Sequence, residues 1–213
     1  MYKVRVLFAK LGTARYISHL DLMQVFRRAF SRAGLRLCYS GGYHPHMQMN
    51  ILLPLSTGFS SECELLDFEL EGEHAPSSLV ERLNAALPEG VRVLRLLDSR
   101  RRAGEIAWAE YDIRMEGDIC TGQIEELFSR SPLMLVKRTK RGENEVDIKP
   151  MIRWLRVTPL PQGVTVNAAL AAGQESLNPE YIVQAITRYL GIQDLYTAYH
   201  RRAIYGADGE IFQ

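Results

Sequence analysis

Three of the five histidines lie in the first quarter of the chain and are the first residues to consider for chemistry. His19 stands at the start of an amphipathic stretch, and His44 and His46 form an H-P-H motif further on. Imidazole nitrogens bind metals such as zinc and act as general bases near neutral pH. The pattern therefore allows a three-histidine metal site or a general base at His19. The alternative is structural, with His19 donating to a local carbonyl and the other two holding a tight loop.

The loop that carries the H-P-H motif is rich in glycine and aromatic residues. Gly41 and Gly42 permit close backbone approach to a ligand, although the loop matches neither a phosphate-binding nor a dinucleotide fingerprint. Tyrosines that lie near arginines in sequence can stack bases while the arginines pair phosphates. The alternative is a buried hairpin with packing tyrosines. The candidate binding residues in this part of the chain are Arg15, His19, Arg27, Arg28, Tyr39, Ser40, Tyr43, His44 and His46.

A second basic cluster adds Lys137, Arg138 and Lys140 as candidates for phosphate contact. Acidic residues follow directly, so a self-compensated surface hairpin is the alternative. The sequence has neither an acid–base carboxylate pair nor a nucleophile motif such as GxSxG. No catalytic residue is therefore assigned, with His19 kept as the alternative.

The three cysteines argue against a resident metal cluster. Cys38, Cys63 and Cys120 are scattered and include no CxxC pair. An iron–sulfur cluster needs suitably spaced thiolates, so the chain is not itself an iron–sulfur enzyme. We expect reduced, inert thiols and no cofactor.

Composition and charge indicate a soluble, cytoplasmic protein with no membrane segment. Hydrophobic residues make up 46% and charged residues 24% of the chain, and no signal peptide or long apolar run occurs. Residues 1–60 contain eight basic residues and one acid, a net charge of +7, whereas 61–98 carry −6. Of the 26 basic residues 21 are arginine, which favours an anionic or RNA partner. The alternative is that the two oppositely charged segments only maintain solubility.

The stretch 18–34 is the best-defined element of the sequence. Its apolar residues recur at helical spacing and its arginines fall on the other side. Ser18 and Asp21 resemble a capping box, and Gly34 stands where a left-handed residue ends a helix. The apolar face comprises Leu22, Val25, Phe26, Ala29, Phe30 and Ala33.

The remaining patterns predict an α+β protein. In the first half, strands are expected at 2–9, 35–40, 64–71 and 91–97, with a further strand-like run at 47–55 and a helix from Pro76. In the second half, strands are expected at 107–115, 152–159, 164–172 and 195–204, a hairpin at 133–148, and helices at 121–130 and 178–190.

This order predicts two tandem ferredoxin-like (split βαβ) modules with antiparallel sheets. The boundaries are 1–98, a linker at 99–105, and a second, looser module at 106–213. A single pseudo-duplicated domain is the alternative.

Several motifs between residues 8 and 67 go beyond fold class. They are Phe8-Ala-Lys-Leu-Gly12, Arg15-Tyr-Ile-Ser-His-Leu-Asp-Leu-Met23, Phe26-Arg-Arg-Ala29, Arg32-Ala-Gly-Leu35 and Tyr39-Ser-Gly-Gly-Tyr-His-Pro-His46. Together they resemble the radical-SAM-linked (radical-SAM-associated) family of uncharacterised bacterial proteins. In that family the loop more usually has Asn, Pro and Lys where this chain has His44, Met47 and Gln48.

The resemblance implies an accessory or substrate-presenting domain rather than an enzyme. Family members are fused after a radical SAM module or encoded beside one, so the expected partners are a radical SAM protein and, through the basic first third, RNA. The repeated element order also resembles the CRISPR repeat-processing endoribonucleases, although a convincing glycine-rich loop near residue 205 is missing. The alternative hypothesis is therefore a metal-independent endoribonuclease with His19 as the general base.

Overall fold

A computed structural model describes residues 2–72, 75–139 and 142–213. The chain forms two compact units. Unit 1 contains residues up to Ala103 together with Phe212–Gln213, and unit 2 contains Gly104–Ile211. Unit 1 is thus assembled from two segments that are far apart in the sequence.

Unit 1 has the element order strand, helix, strand, strand, helix, strand. Its strands are mutually antiparallel and lie in the order β4, β1, β3, β2. A short 3-10 helix, Gly12–Tyr16, connects the first strand to the first helix. The elements are β1 (Tyr2–Lys10), α1 (His19–Arg32), β2 (Met49–Ile51), β3 (Ser60–Leu70), α2 (Leu79–Ala86) and β4 (Val91–Leu97).

Side chains of alternate strand residues build the core of unit 1 beneath α1 and α2. Strand side chains point to opposite faces in turn, so one face of β1 supplies Val4, Val6 and Phe8 to the core. The ring of Phe8 meets that of Phe26 edge-on, with centroids 4.9 Å apart, and Phe30 lies 4.7 Å from Phe68. The charged residues that alternate with the core residues on β1 and β3 therefore lie on the opposite face of the sheet.

Helix α1 begins and ends where the sequence predicts. The Ser18 side chain accepts a hydrogen bond from the Asp21 backbone N–H at 3.2 Å and lies 2.6 Å from its carboxylate. Gly34 adopts a left-handed φ of 65°, and the N–H of Leu35 closes the last turn on the Phe30 carbonyl.

The second strand of unit 1 differs from expectation. Residues 35–40 make only isolated bridges, from Leu37 to Leu70 and from Tyr39 to Met47, and the apolar run 47–55 contributes a strand of three residues. Leu52 and Leu55 are nevertheless buried. Burial without a strand ladder explains the difference, because apolar content alone does not distinguish a strand from a buried loop.

Unit 2 contains four antiparallel strands in the order β10, β5, β9, β8, with a separate hairpin formed by β6 and β7. The elements are β5 (Ile106–Glu116), α3 (Thr121–Ser129), β6 (Met134–Thr139), β7 (Gly142–Asp147), β8 (Ile152–Leu160), β9 (Gly163–Ala171), α4 (Glu180–Leu190) and β10 (Tyr196–Gly206). The predicted α+β class is confirmed. Within the part of the chain that the structure describes, no helix has both the length and the apolar character to cross a membrane.

Candidate binding site on unit 1

A polar cleft lies over the face of the unit 1 sheet that points away from the helices. Lys3 and Arg5 on β1 stand directly opposite Glu69 and Asp67 on β3. Each alternates with a core residue, so all four side chains share the outer face. The cleft has a volume of about 590 Å³. It is lined by these four residues and by Val4, Ser40, His46, Met47, Gln48, Met49, Asn50, Phe68, Ser99, Arg101, Arg102 and Ala103.

Arg5 is the most deeply placed charge in the cleft. It is 1% exposed, and its Nε and Nη2 donate to the two Asp67 carboxylate oxygens at 2.7 and 2.9 Å. Nη2 also donates to the Arg101 carbonyl at 2.7 Å, whereas Nη1 has no hydrogen-bond partner among the described residues. A buried donor without an acceptor costs about 1–3 kcal/mol, so this atom is the main irregularity of the site.

The Phe212 ring packs on the same guanidinium. Its centroid lies 5.3 Å from Cζ of Arg5 and 4.6 Å from Cζ of Arg101, and the residue is buried. Cations near an aromatic face are attracted by the ring quadrupole. The ring therefore stabilises both arginine side chains but offers Nη1 no oxygen acceptor.

Residues 39–47, here called the Gly/His loop, form a closed hairpin at the edge of the cleft, with Tyr39 bridged to Met47. Ser40 Oγ lies 2.8 Å from His46 Nδ1 and accepts the His46 N–H, while the Ser40 N–H donates to the His46 carbonyl. Both residues also line the cleft. Tyr43 at the tip is fully exposed, and Tyr39 is 53% exposed.

His19 and the Gly/His loop lie at opposite ends of unit 1. The 3-10 helix before α1 follows Lys10, and the Arg15 carbonyl accepts the Gly58 N–H. The loop instead leaves from the other end of the sheet, where the Cys38 N–H donates to the Glu69 carbonyl. Since β1 is nine residues long, about 25 Å separates the two ends.

The structure therefore brings Ser40 and His46 together but not His19 with either of them. Among the residues that it describes, no three His, Cys, Asp or Glu side chains are placed to hold one metal ion. Arg27 and Arg28 lie on α1, in the helix layer, away from the cleft. Arg28 is exposed, and Arg27 is half-buried with no hydrogen-bond partner recorded for its Nε within the described chain.

Arg15 forms a compact pair with its neighbour Tyr16. Its Nη2 donates to the Tyr16 hydroxyl at 2.6 Å, and its Cζ lies 4.7 Å from the ring centroid. Tyr16 is 59% exposed. The 3-10 helix that carries the pair is held by Leu11, whose N–H donates to the Gly90 carbonyl. Gly90 has a φ of 83°, and a Cβ there would lie 2.5 Å from the Leu11 oxygen.

The candidates in the second half belong to unit 2. Lys137 Nζ donates to the Ser176 carbonyl at 2.6 Å, so this ammonium has a local partner. Lys140 and the side chain of Arg138 lie outside the described residues. Burial raises the pKa of the Tyr199 phenol, with the Glu180 carboxylate acting in the same direction against a hydrogen bond from Thr197. That phenol stays neutral at physiological pH and is no general base.

Sequence reasoning missed the residues at the base of the cleft, Lys3, Arg5, Asp67 and Glu69. A usable signal existed, because charged and apolar residues alternate along both 2–9 and 64–71. That signal assigns each residue to the outer face of its own strand but does not give the register between strands.

Comparison with known proteins places the chain in a family and shows a similar fold. Residues 3–179 match the family model described as an uncharacterized protein conserved in bacteria, DUF2344. No curated protein matches the sequence. A chain in the crystal structure of a Cbf5–Nop10–Gar1 complex is similar, with a TM-score of 0.51 and 12% identity over 93% of this chain and 47% of that chain. The protein thus spans about half of that chain, and the likeness is one of fold.

Proposed function

Since the chain belongs to DUF2344, a family of uncharacterised conserved bacterial proteins, we propose its function from its own residues: it is an accessory module that binds RNA through unit 1 and partners a radical SAM protein. The observation that carries the RNA half is the fully exposed Tyr43 at the tip of a hairpin closed by Ser40 and His46. An aromatic ring held in solvent on a fixed loop is a platform on which a base can stack.

The charge of the surrounding segment supports the same function. Residues 1–60 carry a net charge of +7, and Arg28, Arg32 and Arg36 are exposed. The Arg15–Tyr16 pair presents a second exposed aromatic ring together with a cation at the other end of the unit. Cations contact phosphates and tyrosines stack bases, which is the combination that single-stranded RNA requires.

We expect Tyr43→Ala to weaken binding of single-stranded RNA about tenfold, because one base–aromatic stack contributes about 1–3 kcal/mol. Fluorescence anisotropy with a labelled oligonucleotide measures the dissociation constant across a salt series. Tyr196→Ala is the matched control, since Tyr196 is 58% exposed on unit 2.

A negative slope of log K against log salt is expected, reduced by about one in Arg28→Ala. A flat salt response, or equal losses in Tyr43→Ala and Tyr196→Ala, would reject the RNA-binding function. The same RNA is then run on a denaturing gel. Cleavage by the wild type that disappears in His19→Ala would support the endoribonuclease alternative instead.

The radical SAM partnership rests on the resemblance of the motifs at 8–67. We expect the chain to co-elute in size-exclusion chromatography with a radical SAM protein from the same genome, when the two are co-expressed. The brown colour and absorbance of the partner's iron–sulfur cluster identify the complex. Elution of the two proteins in separate peaks at micromolar concentration would contradict the partnership.

We further propose that both units are ferredoxin-like modules. In unit 1 the strands lie in the order fourth, first, third, second, which supports this description. Unit 2 has the same order once the β6–β7 hairpin is treated as an addition between α3 and β8. An experimental structure with a different strand order in either unit would contradict it.

A further inference from the structure

We propose that the polar cleft of unit 1 is a binding site for a nucleotide phosphate, with Arg5 Nη1 as its innermost donor. The proposal deepens the RNA-binding function. It rests on that function only for where the nucleotide comes from. A free mononucleotide and a nucleotide of a bound RNA strand present the same phosphate chemistry to the cleft.

The hydrogen bonds of Arg5 provide the first argument. A guanidinium has five N–H donors. Asp67 takes two of them, the Arg101 carbonyl takes a third, and the two on Nη1 have no acceptor within the described chain. If Arg5 served only to pair with Asp67, burying a donor without an acceptor would not stabilise the protein. A phosphate oxygen is the acceptor that an arginine fork fits best, and Arg5 is part of the cleft lining.

The charge of the cleft provides the second argument. Four cationic side chains line it, those of Lys3, Arg5, Arg101 and Arg102, against the carboxylates of Asp67 and Glu69. The lining therefore has a formal charge of +2. The Lys3 side chain is 76% exposed, and its Nζ lies 3.7 Å from Glu69 Oε1. Because an exposed ion pair of this length is weak, an incoming phosphate can compete with Glu69 for the ammonium group.

Size and the neighbouring amides indicate a nucleotide rather than phosphate alone. The volume of about 590 Å³ lies inside the range of about 300–1,000 Å³ typical of small-molecule sites. Asn50, which stands opposite Asp67 on β3, lines the cleft, and side-chain amides pair with the donor and acceptor edges of a base. The hairpin that carries Tyr43 borders the same cleft through Ser40 and His46, so a strand stacked on Tyr43 passes beside it.

Isothermal titration of the full chain with a nucleoside monophosphate, the corresponding nucleoside and inorganic phosphate tests the site. We expect saturable binding of the monophosphate, weaker binding of phosphate, and none of the nucleoside. Lys3→Ala removes a cation and should weaken binding about threefold, whereas the isosteric Glu69→Gln removes an anion and should tighten it about threefold. Arg92→Ala is the control, because Arg92 is an exposed arginine of the same unit, paired with Ala9 at the far end of β1.

Two results would overturn the site. One is the absence of saturable monophosphate binding by the wild type up to about 10 mM, tenfold above a millimolar dissociation constant. The other is an Arg92→Ala effect as large as that of Lys3→Ala, with no gain in Glu69→Gln. The role of Arg5 itself is read from arginine side-chain 15N resonances. The Arg5 guanidinium signal, assigned by its loss in Arg5→Lys, should shift on adding the monophosphate and stay unchanged on adding the nucleoside.

The RNA measurements separate this site from the proposed function. If RNA binds and depends on Tyr43 while the monophosphate does not bind, the cleft proposal fails alone. If the monophosphate binds with the expected Lys3 and Glu69 effects while RNA does not, the cleft stands as a free-nucleotide site and the RNA function fails.

Discussion

Replacing Asp67 by alanine is expected to lower the free energy of unfolding by about 3 kcal/mol. The substitution removes both carboxylate oxygens that accept from Arg5, which is 1% exposed. A buried guanidinium would then keep only the Arg101 carbonyl as an acceptor. Urea unfolding followed by circular dichroism measures the loss.

Asp98→Ala is the matched control for this prediction. Asp98 forms an ion pair of the same 2.7 Å length with Arg100, but both side chains are largely exposed. Exposed pairs contribute about 0–1 kcal/mol, so this variant should unfold almost as the wild type does. The double variant Arg5→Met with Asp67→Ala should lose less stability than Asp67→Ala alone, because no unpaired charge remains buried. Equal losses in the two would show that the cost comes from packing and not from the stranded charge.

Phe26→Ala should have the largest effect on stability, a loss of about 3–5 kcal/mol. The Phe26 ring is fully buried, meets Phe8 edge-on at 4.9 Å and lies 6.5 Å from the Phe30 ring. Its removal leaves a cavity between α1 and the sheet that the neighbouring rings cannot fill without leaving their rotamers. The midpoint of thermal unfolding and the urea midpoint should both fall.

Leu20→Ala on the same helix is the control for Phe26→Ala. Leu20 is 75% exposed, so truncating it should change stability by less than about 0.5 kcal/mol. Similar losses in the two variants would mean that burial of the Phe26 ring does not account for the effect. A loss below about 1 kcal/mol for Phe26→Ala would contradict the packing described for unit 1.

Local signals in the sequence were sufficient to predict α1 and β4. Helix α1 has a cap at Ser18, an apolar stripe and a terminal glycine. Strand β4 is a short strand that ends at residue 97, as expected. The prediction of the second strand of unit 1 was wrong. The run at 47–55 is apolar because it is buried, and only three of its residues pair with a neighbouring strand. Hydrophobicity reports burial directly and strand pairing only indirectly.

The candidate site was predictable only in part, for a similar reason. Ser40 and His46 are close in sequence, so their contact across a short loop follows from local chemistry. The Arg5–Asp67 pair joins residues 62 positions apart, and only the register of β1 against β3 makes them neighbours. Register depends on long-range pairing, which no periodicity in one strand reveals. The roles expected for Arg27, Arg28, Tyr39 and Tyr43 in binding stay predictions.

The two-segment construction of unit 1 has a consequence for its synthesis. Arg5 is translated before unit 2, and Phe212, which packs on it, is added only after all of unit 2 has been made. The Arg5 guanidinium is therefore without this ring during the synthesis of about 200 residues, which proceeds at about 5–20 residues per second. During those seconds the nascent chain lacks the aromatic ring that packs on the Arg5 guanidinium in the finished protein.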